Sequence, residues 1–129
     1  MSENEPKPTE IRLSKDKSVL SVTFPDSGPT DFSAEFLRVN SPSAEVQGHS
    51  PSQRQTVPGK RNVLITGVAP VGNYAVRLTF SDSHQSGIYS WSYFLSLAAE
   101  RDRLWNRYLA ELEEKGLSRD SAPPQALKF

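Results

Sequence analysis

Few residues in this sequence are of types that do chemistry unaided. The 129-residue chain has no cysteine and only two histidines, His49 and His84. Without thiols there can be no disulfide, no iron–sulfur ligation through thiolates and no thiolate catalysis within the chain. Imidazole chemistry remains. His84, with Asp82 two positions before it, has the residue types of a base and its orienting acid. The pair is the basis of one reading, a small hydrolase or metal-dependent enzyme. Adding His49 gives part of a metal set on paper, since a catalytic zinc takes about three protein ligands. His49, however, falls in a segment rich in Ser, Pro and Gly that would organise a ligand poorly. No serine is marked as a nucleophile, because no Gly-x-Ser-x-Gly elbow occurs. The run Gly67-Val-Ala-Pro-Val-Gly72 has the glycine spacing of a phosphate loop, but Asn73 stands where lysine is needed. A strand also follows where a helix should, so the run reads as a turn. The other candidate chemistry is docking. Trp105 and Tyr108 continue an apolar helix stripe beyond a charged interruption, and with Arg38 they form the candidate partner surface.

Those residues need elements to hold them. Ile11 and Leu13 alternate with polar neighbours, and Val19, Leu20, Val22 and Phe24 repeat the pattern after a polar turn, which predicts a first hairpin. Pro25-Asp-Ser-Gly28 is a turn, and Ser33 caps a short helix over about 34–39. Residues 41–61 hold Ser, Pro and Gly with two aliphatic side chains larger than Ala, Val46 and Val57, and one acid against Arg54, Lys60 and Arg61. They read as a long, mobile, solvated loop. Val63–Ile65 predicts a strand. Tyr74, Val76, Leu78 and Phe80 alternate with Ala75, Arg77 and Thr79 in the clearest strand pattern of the chain, and Ile88-Tyr89 is a short one. A helix over about 91–115 has Ser90 as cap and Gly116 at its left-handed close, with Trp91 and Phe94 facing the core and Trp105 less covered. Arg107–Glu111 and Glu111–Lys115 are expected to pair along it. The expected fold is α+β, a small antiparallel sheet of about five or six strands carrying a short helix and a long C-terminal helix.

Composition bounds the rest. At 14.3 kDa the chain suits one domain, and area scaling buries about two-thirds of its unfolded surface. Fifteen basic against fifteen acidic residues leave no net charge, which excludes the large basic excess of a general nucleic-acid or anionic-membrane binder. No apolar stretch approaches the ~20 residues of a bilayer span, and the acidic start MSENEPKPTE lacks the apolar core of a signal peptide. The expected organisation is a disordered leader over 1–8, one domain over 9–118 and a flexible tail over 119–129, in a cytoplasmic protein.

Several stretches together resemble a known family. They are the hairpin over 9–24, Phe36-Leu-Arg-Val-Asn-Ser-Pro-Ser-Ala-Glu45, Val71-Gly-Asn-Tyr-Ala-Val76 and Phe80-Ser-Asp-Ser-His-Gln-Ser-Gly-Ile-Tyr-Ser-Trp91. The chain over about 9–118 is similar to the small bacterial family related to the N-terminal domain of gamma-butyrobetaine hydroxylase. In that family the segment after Leu-Arg often carries cysteines, and in the hydroxylase relatives these bind a structural zinc together with a histidine. The positions matched here are Ser41, Ser43, Val46 and His84, so the resemblance carries over the place and not the thiols. No metal or other cofactor is expected. The hydroxylase's iron and 2-oxoglutarate site lies in a separate domain, so no oxygenase activity follows. Fusions of the family's domain to P-loop ATPases of iron–sulfur assembly imply a protein partner of that kind. The leading expectation is therefore a non-enzymatic interaction module, accessory to iron–sulfur cluster carriers.

Overall fold

The computed structural model of the chain describes residues 6–48, 53–85 and 87–120. Strands β1 (Glu10–Leu13), β2 (Val19–Phe24) and β3 (Gly28–Ser33) form one antiparallel sheet in the order β1-β2-β3. The central strand β2 buries Leu20, Val22 and Phe24 and turns Ser21 and Thr23 outward, the period-2 pattern of a half-covered strand. In the β1–β2 turn the Asp16 carboxylate accepts from the hydroxyls of Ser14 and Ser18, each at 2.7 Å, while Lys17 takes the left-handed conformation at φ 66°.

The strand β3 lies where the sequence pattern showed a turn leading directly to a helix. It is an edge strand, so Pro29, which has no N–H to donate, is accommodated there. Helix α1 (Ala34–Val39) follows at once, and the Ser33 hydroxyl accepts from Phe36 N at 3.0 Å as its cap. A single-turn helix α2 (Ala44–Gln47) comes next.

A second antiparallel sheet holds β4 (Ile65–Val71), β5 (Ala75–Phe80) and β6 (Ile88–Ser90), in the order β4-β5-β6. Among the described residues the fold is α+β with six strands, divided between two sheets of three. The glycine-spaced run from Gly67 is strand as far as Val71, and the turn is confined to Gly72–Tyr74, with Gly72 at φ 53°. Tyr74, expected to begin β5 on its apolar side, sits in that turn and is 56% exposed. The two sheets touch through the backbone where Ile65 N donates to Lys17 O at 2.9 Å.

The C-terminal helix is broken. Helix α3 (Trp91–Ala99) is capped by the Ser90 hydroxyl, which accepts from Tyr93 N at 3.1 Å, and helix α4 (Arg101–Glu114) starts again after Glu100. Gly116 at φ 66° closes α4, with Gly116 N donating to Glu113 O and Leu117 N to Leu112 O, the paired bonds of a Schellman motif.

The break divides the packing. Phe94 and Leu97 of α3 join the main core of Leu20, Val22, Phe32, Phe36, Leu78, Phe80 and Tyr89, where the Phe94 ring is 5.7 Å from those of both Phe32 and Tyr89. Tyr108 and Leu112 of α4 form a smaller cluster with Val39, against which Val57 and Trp105 pack. Trp91, expected in the core, is half-buried and donates Nε1–H to Asn73 O at 2.9 Å over the β4–β5 turn.

The described parts of the 41–61 loop are docked rather than free. Arg54 pairs with Glu111, and Lys115 Nζ donates to the Thr56 hydroxyl at 2.9 Å. Glu111 thus reaches across to the loop, where pairing along the helix was expected. Residues 6–8 have no regular structure, and 1–5 and 121–129 lie outside the described residues. Arg119 and Asp120, placed in the tail by composition, are bonded to the domain: Arg61 N donates to Arg119 O at 3.0 Å and Arg61 Nε to Asp120 Oδ1 at 2.5 Å.

Candidate functional site

The end of α1 and the β5–β6 turn bring three polar side chains together inside the protein. Asn40 caps α1, its main-chain N and its Nδ2 both donating to Phe36 O, and the chain turns inward at Ser41. From the other side, the Asp82 carboxylate accepts from His84 N at 3.1 Å and Phe80 N donates to His84 O at 2.9 Å, which fixes the imidazole's direction. His84 Nε2 then lies 2.9 Å from Ser41 Oγ and 3.4 Å from Ser43 Oγ, and the two hydroxyls are 3.2 Å apart. Gly87 is required here. A Cβ on it would stand 2.6 Å from Ser41 Oγ and 3.0 Å from Tyr89 Cε1. Beside the cluster, the fully buried Tyr89 donates its hydroxyl to Leu37 O at 2.5 Å. Burial raises its pKa well above the usual phenol range, so it stays protonated.

Burial also lowers the His84 pKa from 6.5. The Arg38 guanidinium lowers it further, and the Glu45 and Asp82 carboxylates oppose both. The ring is therefore a neutral hydrogen-bonding group at pH 7. The order Ser41–His84–Glu45 has the outline of a nucleophile, base and acid, but Glu45 Oε2 is 3.7 Å from Nδ1, beyond hydrogen-bond reach. Ser41 is 0% exposed, so its hydroxyl is closed to solvent. Asp82 does not serve the imidazole either. Its carboxylate takes Arg38 Nε at 2.8 Å and Lys60 Nζ at 2.6 Å. Burial pushes Asp82 up, but the bonds from Lys60, the His84 main chain and Arg38 outweigh that and hold its pKa near about 2.

Of the positions matched to zinc ligands, Ser41, Ser43 and His84 converge, and Val46 is buried nearby in the sequence at 2% exposure. The donor set does not fit zinc. One imidazole, two neutral hydroxyls and an aliphatic side chain replace the thiolates that such a site needs. Among the described residues no group of three or more His, Cys, Asp or Glu is placed to hold a metal ion. His49 lies outside the described residues. What the cluster does is tie the α1–α2 corner to the second sheet.

The docking candidates are corrected by their surroundings. The Tyr108 ring is 2% exposed, and its hydroxyl donates to Val57 O at 2.5 Å. Burial raises its pKa to about 12. The Arg38 side chain is 11% exposed and held by Asp82, and its NH1 is buried with no hydrogen-bond partner. Both side chains are largely covered. Trp105 alone of the three keeps an open side, and it faces a cleft of about 520 Å³ between β3, α1 and α4, lined also by Ser18, Asp31, Phe36, Arg61 and Arg101. In its wall Glu35, 5% exposed, takes a two-pronged bond on its carboxylate from Arg119, with Nε to Oε2 at 2.8 Å and NH2 to Oε1 at 2.6 Å. The same guanidinium carbon is 4.9 Å from the centre of the Trp105 ring. Sequence reasoning missed Glu35 and Arg119. A glutamate in a first helical turn and an arginine beyond the helix end both look solvated in the linear pattern.

Comparison with known proteins gives a consistent picture. Residues 11–95 match the family model described as gamma-butyrobetaine hydroxylase-like, N-terminal. Two proteins solved by NMR in solution align at a TM-score of 0.78. One is 44% identical and covers 96% of this chain and 97% of its own, and the other is 40% identical and covers 100% and 96%. A crystal structure of a protein with unknown function of the DUF971 family, from Acidithiobacillus ferrooxidans, aligns at 0.61 with 39% identity over 73% of this chain and 94% of its own. No curated protein matches the chain.

Proposed function

The chain belongs to the gamma-butyrobetaine hydroxylase-like, N-terminal family, whose relatives include a protein of unknown function, and we propose that it works by recognition, as a non-enzymatic interaction module. One observation carries this reading: the half-buried Trp105 forms a wall of an open cleft, whereas His84, the imidazole of the acid–base pair read from the sequence, is buried against Ser41 and its expected partner Asp82 is taken up by Arg38 and Lys60. Clefts lined by an aromatic side chain and arginines are favourable contact sites. The proposed partner is a protein of the cytoplasm, and the first class to test is the P-loop ATPase of iron–sulfur assembly that the family resemblance implies. Having no cysteine, this chain would assist such a carrier and would not hold a cluster through thiolates. Its even charge disfavours nucleic acid, and among the described residues no helix is long and apolar enough to cross a membrane.

The test is affinity capture with the tagged protein and with Trp105→Ser, in parallel, from the native cell. The expected result is one or more proteins retained by the first and lost with the second, while the far-ultraviolet spectra of the two coincide. Identical retention by both would remove the cleft. Ester or amide hydrolysis by the pure protein that disappears in His84→Ala would replace recognition by catalysis.

A further inference from the structure

Against Glu35 and Trp105 the cleft already holds a ligand-like segment. Residues 118–120 follow the Schellman close of α4 and run back over the domain. Their backbone carbonyls accept from Gly59 N and Arg61 N. The Arg119 fork fits the buried Glu35 carboxylate and lies over the Trp105 face, and the Asp120 carboxylate meets Arg61 Nε at 2.5 Å. Main chain, arginine and acid are each read by a separate group. This is how an extended peptide is recognised, with backbone bonds for register and side-chain contacts for specificity. A planar fork paired bidentately and stacked on an aromatic ring selects arginine over lysine.

Apart from the Arg119–Glu35 pair and its stack on Trp105, the hold on this segment is light. Leu117 is 39% exposed and Ser118 and Asp120 are exposed, so little apolar burial anchors it. The Arg61–Asp120 bridge is 44% and 64% exposed, the class of ion pair that contributes little. Removing the segment would leave Glu35 as a carboxylate deep in the wall without its cation, beside a free indole face. Such a site attracts another guanidinium.

We propose that the part of the cleft formed by Glu35, Trp105 and Arg61 is a recognition site for a partner's extended segment carrying an arginine followed by an acidic residue, and that Ser118–Asp120 occupies it in cis. The segment then acts as a built-in competitor, and the cleft opens fully only to a partner that displaces it. This rests on the reading of the cleft as the working surface and names the chemistry it reads.

The test uses the full chain with Arg119→Ala and a capped peptide of the protein's own sequence, Gly-Leu-Ser-Arg-Asp, titrated by calorimetry. The variant is expected to bind the peptide saturably, and wild type at least about tenfold more weakly because its own arginine competes. Replacing the peptide's arginine by lysine should weaken binding by roughly tenfold, the fork being lost. Adding Glu35→Gln to Arg119→Ala should abolish it. A folded Arg119→Ala protein that binds no peptide, or one that binds equally well with Glu35→Gln, overturns the proposal. Arg119→Gln is the second variant if alanine prevents folding. Unfolding of both would also overturn it, since a segment whose release unfolds the domain cannot be displaced. If the peptide fails while Trp105→Ser still loses the captured partner, the broader reading stands and only the arginine–acid specificity falls.

Discussion

Replacing Ser41, Ser43 and Val46 together by cysteine should create a zinc site. A tetrahedral zinc with Zn–S of about 2.3 Å and Zn–N of about 2.05 Å places its ligand atoms roughly 3.5–3.8 Å apart. The hydroxyls of Ser41 and Ser43 stand 2.9 and 3.4 Å from His84 Nε2 and 3.2 Å from each other. Each pair must therefore open by at most about 0.7 Å, and the longer C–S bonds provide part of that. Both hydroxyls approach the same nitrogen, so the imidazole already presents one donor atom to the site. Structural zinc sites in small peptides bind with about 10–16 kcal/mol at pH 7. Repositioning the α1–α2 corner offsets some of this, and dissociation constants below about 1 μM, roughly −8 kcal/mol, are expected. Free zinc at a hundredfold excess over that constant adds about 2.7 kcal/mol of stability and moves the melting temperature by roughly 10 °C. The assays are elemental analysis after dialysis, cobalt(II) substitution to read tetrahedral thiolate coordination, and melting with and without chelator. A folded triple variant that takes up no metal would refute the convergence of these segments. Uptake that persists without Val46→Cys would refute the placement of the fourth ligand alone. The unmodified protein should melt at the same temperature with and without chelator.

Three further outcomes test other parts of the structure. Phe94→Ala removes a ring at 0% exposure between Phe32 and Tyr89 and should cost about 3–5 kcal/mol in urea unfolding; Trp105→Ala should cost less, and the reverse order would undo the division of packing between α3 and α4. Gly87→Ala forces a methyl to within 2.6 Å of Ser41 Oγ and should lose about 1–3 kcal/mol; an unchanged urea midpoint would show that the corner is not packed as described. His84 is held neutral with its pKa below 6.5, so on acidification the unfolded chain takes up a proton that the folded chain refuses. Stability should therefore fall as pH drops below about 6.5 and level off beneath the folded value. In His84→Gln this component should vanish, and equal acid sensitivity of the two proteins between about pH 7.5 and 5.5 would contradict the assignment.

Central elements were legible in the sequence and edges were not. The strands β2 and β5 announce themselves because both are flanked by partners and bury every second side chain. Strand β3 is Gly-Pro-Thr-Asp-Phe-Ser, with one fully buried residue, Phe32, and the far part of β4 is Gly-Val-Ala-Pro-Val. Edge strands tolerate such poor β-formers because one side makes no ladder. The caps at Ser33, Ser90 and Gly116 were readable because capping is local chemistry. The break at Glu100 showed only as the charged interruption of the apolar stripe at Arg101 and Asp102, since no Gly or Pro marks it. For the site, no periodicity connects Ser41 with His84 across 43 positions, and only the family resemblance set the two side by side. Glu35 and Arg119 carried no signal of either kind.

The division into two sheets bears on how the chain acquires its shape. Each sheet is a meander of consecutive strands, so its pairing partners are near neighbours in sequence: residues 10–33 in one and 65–90 in the other. Hairpins of this kind close in roughly 1–10 μs, because short loops cost little entropy. The slow step is then the meeting of two preformed units across the intervening 34–64 segment, where the Lys17–Ile65 bond and the shared core around Phe94 come into being together. Search time for this chain is thus set by one long closure, and substitutions at that seam should slow refolding, whereas substitutions at the outer strands should chiefly hasten unfolding.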